Sequence, residues 1–442
     1  MRPHWSRLVT VLWLSGALVP VLASGQEPLT RDAVLARMQP YEGPSTWETQ
    51  ATGIEGRVLC GYQGWFTTPD DGAERGWTHY QRQGRFEPGQ CSIDLWPDVS
   101  DLPADERVPT AFRHADGRVA QVFSSYHERT VRLHWQWMRD YGIDGAFVQR
   151  FAVETRQPRN LRHVNQVLDS CRRGANEAGR VYAVMYDLSG LPAQGLETVI
   201  ADWKELVDRL HLGRDPRDRA YLRERGRPVV AVWGLGFNDG RQYTLEEGER
   251  LVRFLKDDPQ YGGNTVLLGV PTGWRTLNRD CVADPRLHDI VRRADIVSPW
   301  SVGRYRTPQQ AAVHGQRVWQ ADREWCQQAG LLYLPVAFPG FSWSNLKPGA
   351  PFDEIPRLRG QFLWSQYVAA RRSGATMMYQ AMFDELDEGT AIFKCTAAPP
   401  VGASRFVAEE GLPSDHYLWL TGRGRQLLRG EIPLDESLPQ RP

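Results

Sequence analysis

The chain carries no excess of either charge: 53 lysines and arginines stand against 53 aspartates and glutamates in 442 residues. A protein that grips a phosphate backbone or an anionic membrane shows a basic imbalance, so nucleic acid and membrane surfaces are not expected as partners. Cysteine is scarce as well. The six residues Cys60, Cys91, Cys171, Cys281, Cys326 and Cys395 form no C-x-x-C pair and no Cys/His zinc spacing. Six cysteines allow 15 complete pairings, and spacing selects none of them. No G-x-G-x-x-G opens a strand-to-helix turn, which removes the dinucleotide fingerprint. Neither a redox cofactor nor a metal is called for. Internal repeats and low-complexity tracts are also missing, and beyond the N-terminus no apolar run is long enough to span a bilayer.

What is present begins with an address. Residues 1–25 read as a basic start (Arg2, Arg7), an apolar run from Leu8 to Leu22 and then Ala23, Ser24 and Gly25. That is the layout of a secretory signal peptide, and it implies a secreted or periplasmic protein. The remaining composition, 41% hydrophobic and 24% charged, is that of an ordinary globular chain. Tryptophan is abundant, with 17 residues, and its flat face with one polar handle serves packing or the stacking of ligands.

Along the mature chain, short apolar runs alternate with helical patterns. The runs are 57–66 (RVLCGYQGWF), 145–151, 181–187, 228–233, 265–270, 295–300, 331–338 and 375–383, each bounded by Gly, Pro or Asp. Continuous apolar character suits parallel strands covered on both faces. Between them, Val131, Trp135 and Met138 share a helical stripe, and Thr307 with Pro308 forms an N-cap with Pro at the first helical position. Leu358, Phe362, Ser365 and Ala369 are expected on one helical face. Eight strands linked through helices predict an α/β fold, a (β/α)8 TIM barrel with loop insertions, in preference to an open doubly wound sheet. The expected layout is an N-terminal extension at 26–54, a barrel over 55–395 with an insertion at 67–126, and a C-terminal segment at 396–442. A monomer is expected.

Chemistry in such a barrel sits at the C-terminal ends of the strands. There the last run delivers Asp384, Glu385, Asp387 and Glu388 within five residues. Crowded carboxylates raise at least one pKa toward the range of a proton donor, and glycosidic cleavage needs one carboxylic acid and one carboxylate. A calcium-type oxygen site and a merely solvated acidic loop remain open on spacing alone. The other strand ends offer Tyr62, Trp65, Gln149, Arg150, Asp187, Trp233, Trp274, Trp300, Arg304 and Trp343, the aromatic and polar groups that line a pocket for a polar ring. Trp135, Trp137, Trp319, Trp325 and Trp364 fall in helical segments and read as packing.

The run Glu385-Leu-Asp-Glu388-Gly-Thr resembles the E-x-x-E-G-T segment of glycoside hydrolase family 99, the endo-α-mannosidase family. The stretches GRVLCGYQGWF, YGIDGAFVQRF, VAFPGFSWSN and LPSDHYLWLTG are similar to bacterial family 71/99-like proteins labelled xylosidase/arabinosidase. The resemblance covers most of residues 55–430. It implies a glycosidase that acts on an oligo- or polysaccharide. In that scheme Glu385 takes the 2-hydroxyl proton so that O2 attacks C1, Glu388 acts as acid and later base, and configuration is retained. The chain departs from the family in having Leu386-Asp387 between the two glutamates, where the family has Trp-His, and in placing Asp384 before them. Two further readings use the same residues: a barrel that binds carbohydrate without cleaving it, and a metal-dependent hydrolase built on the acidic cluster.

Overall fold

Parallel strands that are buried on both faces need helices on their outside, and the alternation seen in the sequence supplies them in register. The computed structural model describes residues 29–441; the expected signal peptide lies outside the described residues. The barrel strands are β1 (Val58–Tyr62), β2 (Gly145–Phe151), β3 (Val181–Asp187), β4 (Arg227–Trp233), β5 (Thr265–Pro271) and β6 (Ile296–Trp300). β7 comes in two pieces, Leu332–Tyr333 and Val336–Ala337, and β8 is Met378–Gln380. Each neighbour pair is parallel, from Leu59 opposite Gly145 round to Leu268 opposite Val297. The first piece of β7 pairs with β6 and the second with β8, and β8 pairs with β1, so the interrupted strand closes the ring. Pro335 lies at the interruption, where a residue without an N–H cannot donate to a ladder.

The helices follow as expected: α1 (Glu128–Asp140), α2 (Pro158–Ala178), α3 (Leu196–Leu210), α4 (Leu245–Asp257) and α5 (Arg286–Arg293). α6 runs through Pro308–His314, a π turn at Gly315–Trp319 and Gln320–Gln328. Thr307 caps it by accepting from the Gln310 N–H. α7 (Gln361–Arg372) precedes β8, and α8 (His416–Arg429) lies under the N-terminal rim, where Arg425 and Arg429 hold Asp144, the acceptor of the Val58 N–H. One expectation fails here. Leu358 is exposed, because the chain at 358–360 is a separate turn with Leu358 and Arg359 at positive φ, and the helical face begins only at Phe362.

Which way each strand residue points decides the rest. Gly61 faces the barrel interior: a Cβ there would lie 2.1 Å from the Tyr379 hydroxyl oxygen. Phe147 is also interior and stacks on Tyr379 at 5.8 Å. Residues of the opposite parity point outward to the helix layer, on β3 Tyr182 to Asp218 and Tyr186 to Asp202. All six cysteines are unpaired, and no described helix is long and apolar enough to cross a membrane.

Candidate active site at the mouth of the barrel

The acidic segment 384–388 is a loop that follows β8, and its four carboxylates do not share one task. Asp384 is fully buried and points back toward β1, where its two oxygens accept from the Gln63 and Gly64 N–H groups at 2.8 Å each. Burial pushes its pKa up to about 7, against the pull of those two donors. Asp387 turns the other way and accepts from His79 Nδ1 at 2.9 Å, leaving its Oδ1 without a partner. Glu385 and Glu388 are left as the pair. Glu385 accepts from Gln63 Nε2 at 2.9 Å and from the Thr390 hydroxyl at 2.5 Å. Burial first, and then the charges of Glu388 and Asp387, hold it well above the usual carboxylate range. Burial and Asp387 raise Glu388 to about 7, opposed by the Lys347 ammonium. Burial and like charge thus bias both carboxyls toward the protonated form.

The loop is held by groups far away in sequence. Arg357 donates to the Gly389 and Ala391 carbonyls at 2.9 and 2.6 Å. The Ser342 N–H donates to the Glu388 carbonyl, and the Asp94 N–H to that of Leu386. The Asp94 carboxylate in turn accepts from Ser342, Ser344 and Asn345, which ties the insertion to the loop carrying Trp343. Gly389 sits at φ +65°, and a Cβ would come within 2.8 Å of the Ser342 nitrogen, so the Glu-Gly step admits only glycine.

Around this loop the structure gathers part of the predicted set. Gln149 lies near the end of β2 with its carboxamide oxygen buried and unpartnered. Asp187 ends β3; one of its oxygens caps the following turn by accepting from the Ser189 N–H, and burial raises its pKa. Trp233 and Trp300 meet edge to face at 5.4 Å, and Trp300 meets Tyr379 at 6.2 Å. Trp343 is half-buried under the Lys347 ammonium, 3.7 Å from its ring centre. Trp65 is present in a different manner than expected. His79 stacks on one face at 3.8 Å and Phe151 crowds the ring at 5.3 Å, so it offers its edge and Nε1 and not an open platform.

Five predicted residues lie elsewhere. Tyr62 is fully buried against α1, with its hydroxyl 2.9 Å from His134 Nδ1. Arg150 points outward into a buried pair with Asp202, at 2.6 Å. Trp274 packs in the helix layer against Trp325 and donates to Asp322 of α6. Arg304 binds Asp280, which also accepts from Thr272 and Gly273, and so ties two loops together. Asp384, as described, holds backbone. The physical reason is shared by Tyr62 and Arg150: in a strand adjacent residues face opposite sides, so Gln63 and Gln149 point inward where their neighbours point outward. Gln63, His79, His163 and Lys347 were missed. Strand alternation from Gly61 could have found Gln63, but no local signal marks His79 or Lys347, which arrive on loops.

No protein-family model matches the chain, and no curated protein sequence matches it. Among solved structures it is similar to the GH99 endo-alpha-mannosidase from Bacteroides thetaiotaomicron, with a TM-score of 0.61 and 15% identity over 86% of this chain and 99% of that one. The same enzyme in complex with BIS-TRIS-Propane gives a TM-score of 0.59 and 16% identity over the same shares. The fold of this chain is therefore the (β/α)8 barrel of GH99-like proteins, in agreement with the resemblance carried by Glu385-Leu-Asp-Glu388-Gly-Thr.

Proposed function

We propose that the protein is an exported glycoside hydrolase that cleaves a neutral glycan with Glu388 as acid and Glu385 as base. The single observation that carries this reading is the division of labour in the acidic loop. Asp384 and Asp387 are occupied by backbone and by His79, while Glu385 and Glu388 are left free of those tasks, both held above the usual carboxylate range. Gln63 and Thr390 both donate to Glu385 and so favour its ionised form, whereas no described side chain donates to the carboxylate of Glu388. Burial and neighbouring charge raise Glu385 further than Glu388, but these two donors engage Glu385 alone, and on that geometry the catalytic proton is assigned to Glu388. It passes to the glycosidic oxygen as the C1–O bond breaks, and Glu388 then takes a proton from the water whose oxygen bonds to C1. Retention of configuration, with Glu385 drawing the substrate 2-hydroxyl proton so that O2 bridges to C1 as the leaving group departs, and returning it to O2 as water opens the O2–C1 bond, is the course that the family resemblance favours. The fold likeness to the mannosidase supports the reaction class, and the sugar is left to experiment. The N-terminal residues support export to the periplasm or beyond.

Both Glu385→Gln and Glu388→Gln are expected to lower turnover on a responsive polysaccharide by at least about a hundredfold with unchanged thermal melts. Product anomers followed by NMR read the stereochemistry. Full activity in either variant would remove the assignment.

A further inference from the structure

Beside the acidic loop lies a cavity of about 110 Å³ that neither the acid–base pair nor the packing of the barrel accounts for. Its walls are the end of β1 (Gln63, Trp65), the insertion (Arg75, His79), the end of β2 (Gln149) and α2 (His163). Two of these residues reach the catalytic loop directly, since Gln63 donates to Glu385 and His79 to Asp387. The cavity is therefore contiguous with the proposed chemistry.

The lining leaves an unusual set of buried polar atoms without partners. Gln63 is held by its bond to Glu385, so its Oε1 turns away and is unpartnered. The Gln149 oxygen and Trp65 Nε1 are likewise unpaired. His163 Nε2 lies 2.8 Å from the Gly64 carbonyl, which only an N–H can satisfy. Burial, reinforced by Arg75, pushes the imidazole pKa down to about 3, so the ring is neutral and its unpartnered Nδ1 is a bare acceptor. Gln63, Gln149 and His163 are all more than nine-tenths buried. Buried polar atoms without partners are costly, on the order of 1–3 kcal/mol each, and several on the residues of one cavity mark a place where an occupant that reaches them supplies the missing partners.

The chemistry of the set defines the ligand. Acceptors outnumber donors, so the occupant brings several O–H groups. Arg75 is already paired with Glu154 at 2.9 Å, and the carboxylates of the loop stand alongside, so an anionic sugar finds no free cation here. The volume corresponds to about four waters at roughly 30 Å³ each, room for no more than a single sugar unit. The Arg75–Glu154 bridge joins the insertion to the loop after β2, and Arg162 of α2 donates to the Gly72 and Ala73 carbonyls, so that side of the cleft is walled off.

We infer that this cavity, walled on the side of the insertion, is a subsite for one neutral, hydroxyl-rich terminal sugar unit, so that the enzyme cuts next to a chain end and not within a chain. The catalytic half of this inference rests on the proposed glycosidase reading; the binding half does not.

Two measurements test it. In the first, each polysaccharide that the full chain hydrolyses is sampled at the first few per cent of conversion. A single short product with unchanged viscosity supports the inference, and a ladder of oligosaccharides with falling viscosity overturns it. In the second, D-xylose, L-arabinose, D-mannose, D-glucose and D-galactose are titrated into the wild type, Gln149→Leu and Trp65→Phe by saturation-transfer NMR. At least one sugar is expected to bind and to weaken about tenfold in each variant. The second variant keeps the aromatic ring and so guards against a folding defect in the first. Absence of binding by all five sugars, or equal binding in wild type and both variants, overturns the subsite. If no polysaccharide is cleaved, the glycosidase reading fails, and the titration alone decides whether the cavity is a sugar site.

Discussion

Asp384 offers a quantitative test of how the acidic loop is held. Its pKa rises from 3.8 to about 7 because burial outweighs two backbone donors. A folded-state pKa above the unfolded value gives stability that is fully present below the unfolded pKa and is lost as pH rises through the folded one. Three pKa units at 1.36 kcal/mol each make this roughly 4 kcal/mol, of which roughly 1.5 is already lost at pH 5 and nearly all by pH 8. Asp384→Asn has the same shape and never ionises. At pH 5 it resembles the protonated wild type, since both present one acceptor and one donor to the Gln63 and Gly64 N–H groups. At pH 8 the wild type alone bears the cost of a buried charge. The mutant is thus expected to gain roughly 3 kcal/mol on the wild type between pH 5 and 8. An unfolding entropy of about 2.1 cal/mol/K per residue over a chain of this length converts that to roughly 3 °C in Tm. The raised pKa values of Glu385 and Glu388 are common to both proteins and cancel in the difference. Thermal melts of both proteins across this range, in one buffer series, provide the assay. A difference that stays flat, or that turns against the mutant as pH rises, would refute the reasoning by showing that the two N–H donors keep Asp384 ionised throughout.

Two other outcomes follow from the same loop. Because Glu388 must be protonated to act as acid and its pKa stands at about 7, kcat is expected to fall above pH 7. Asp387→Asn removes a like charge and should move that limb downward by about one unit in a pH–rate profile; an unmoved limb would show that Asp387 does not act on the pair. Gly389→Ala forces a Cβ toward the Ser342 nitrogen at positive φ, and a loss of roughly 1–3 kcal/mol in urea unfolding, with reduced turnover, is expected. Wild-type stability in this variant would mean that the turn can relax.

Strand and helix positions were legible because β-branched and aromatic runs bounded by Gly, Pro and Asp leave few alternatives; 145–151 and 181–187 coincide with β2 and β3. The side each residue faces was less legible. In a parallel barrel both faces are apolar, so the alternation that marks an exposed strand is muted. Tyr62 and Arg150 were accordingly read into the site in place of Gln63 beside the first and alongside Gln149 in the second case. Trp274 and Arg304 were misplaced for another reason: they lie beyond the strand ends, where loop geometry and not strand parity sets direction, and they satisfy Asp322 and Asp280.

By itself the sequence determined the alternating architecture, the zero net charge and the presence of an acidic run after the last strand. These are local properties, fixed by residue type and spacing within a few turns of chain. The use of each carboxylate was decided only by tertiary structure. Asp384 became an anchor because β1 lies beside β8, Asp387 was taken by His79 from an insertion 308 residues earlier, and Glu385 and Glu388 remained as a pair. The pKa of a carboxyl depends on its burial and on the donors and charges that face it, and those groups come together only when distant segments pack.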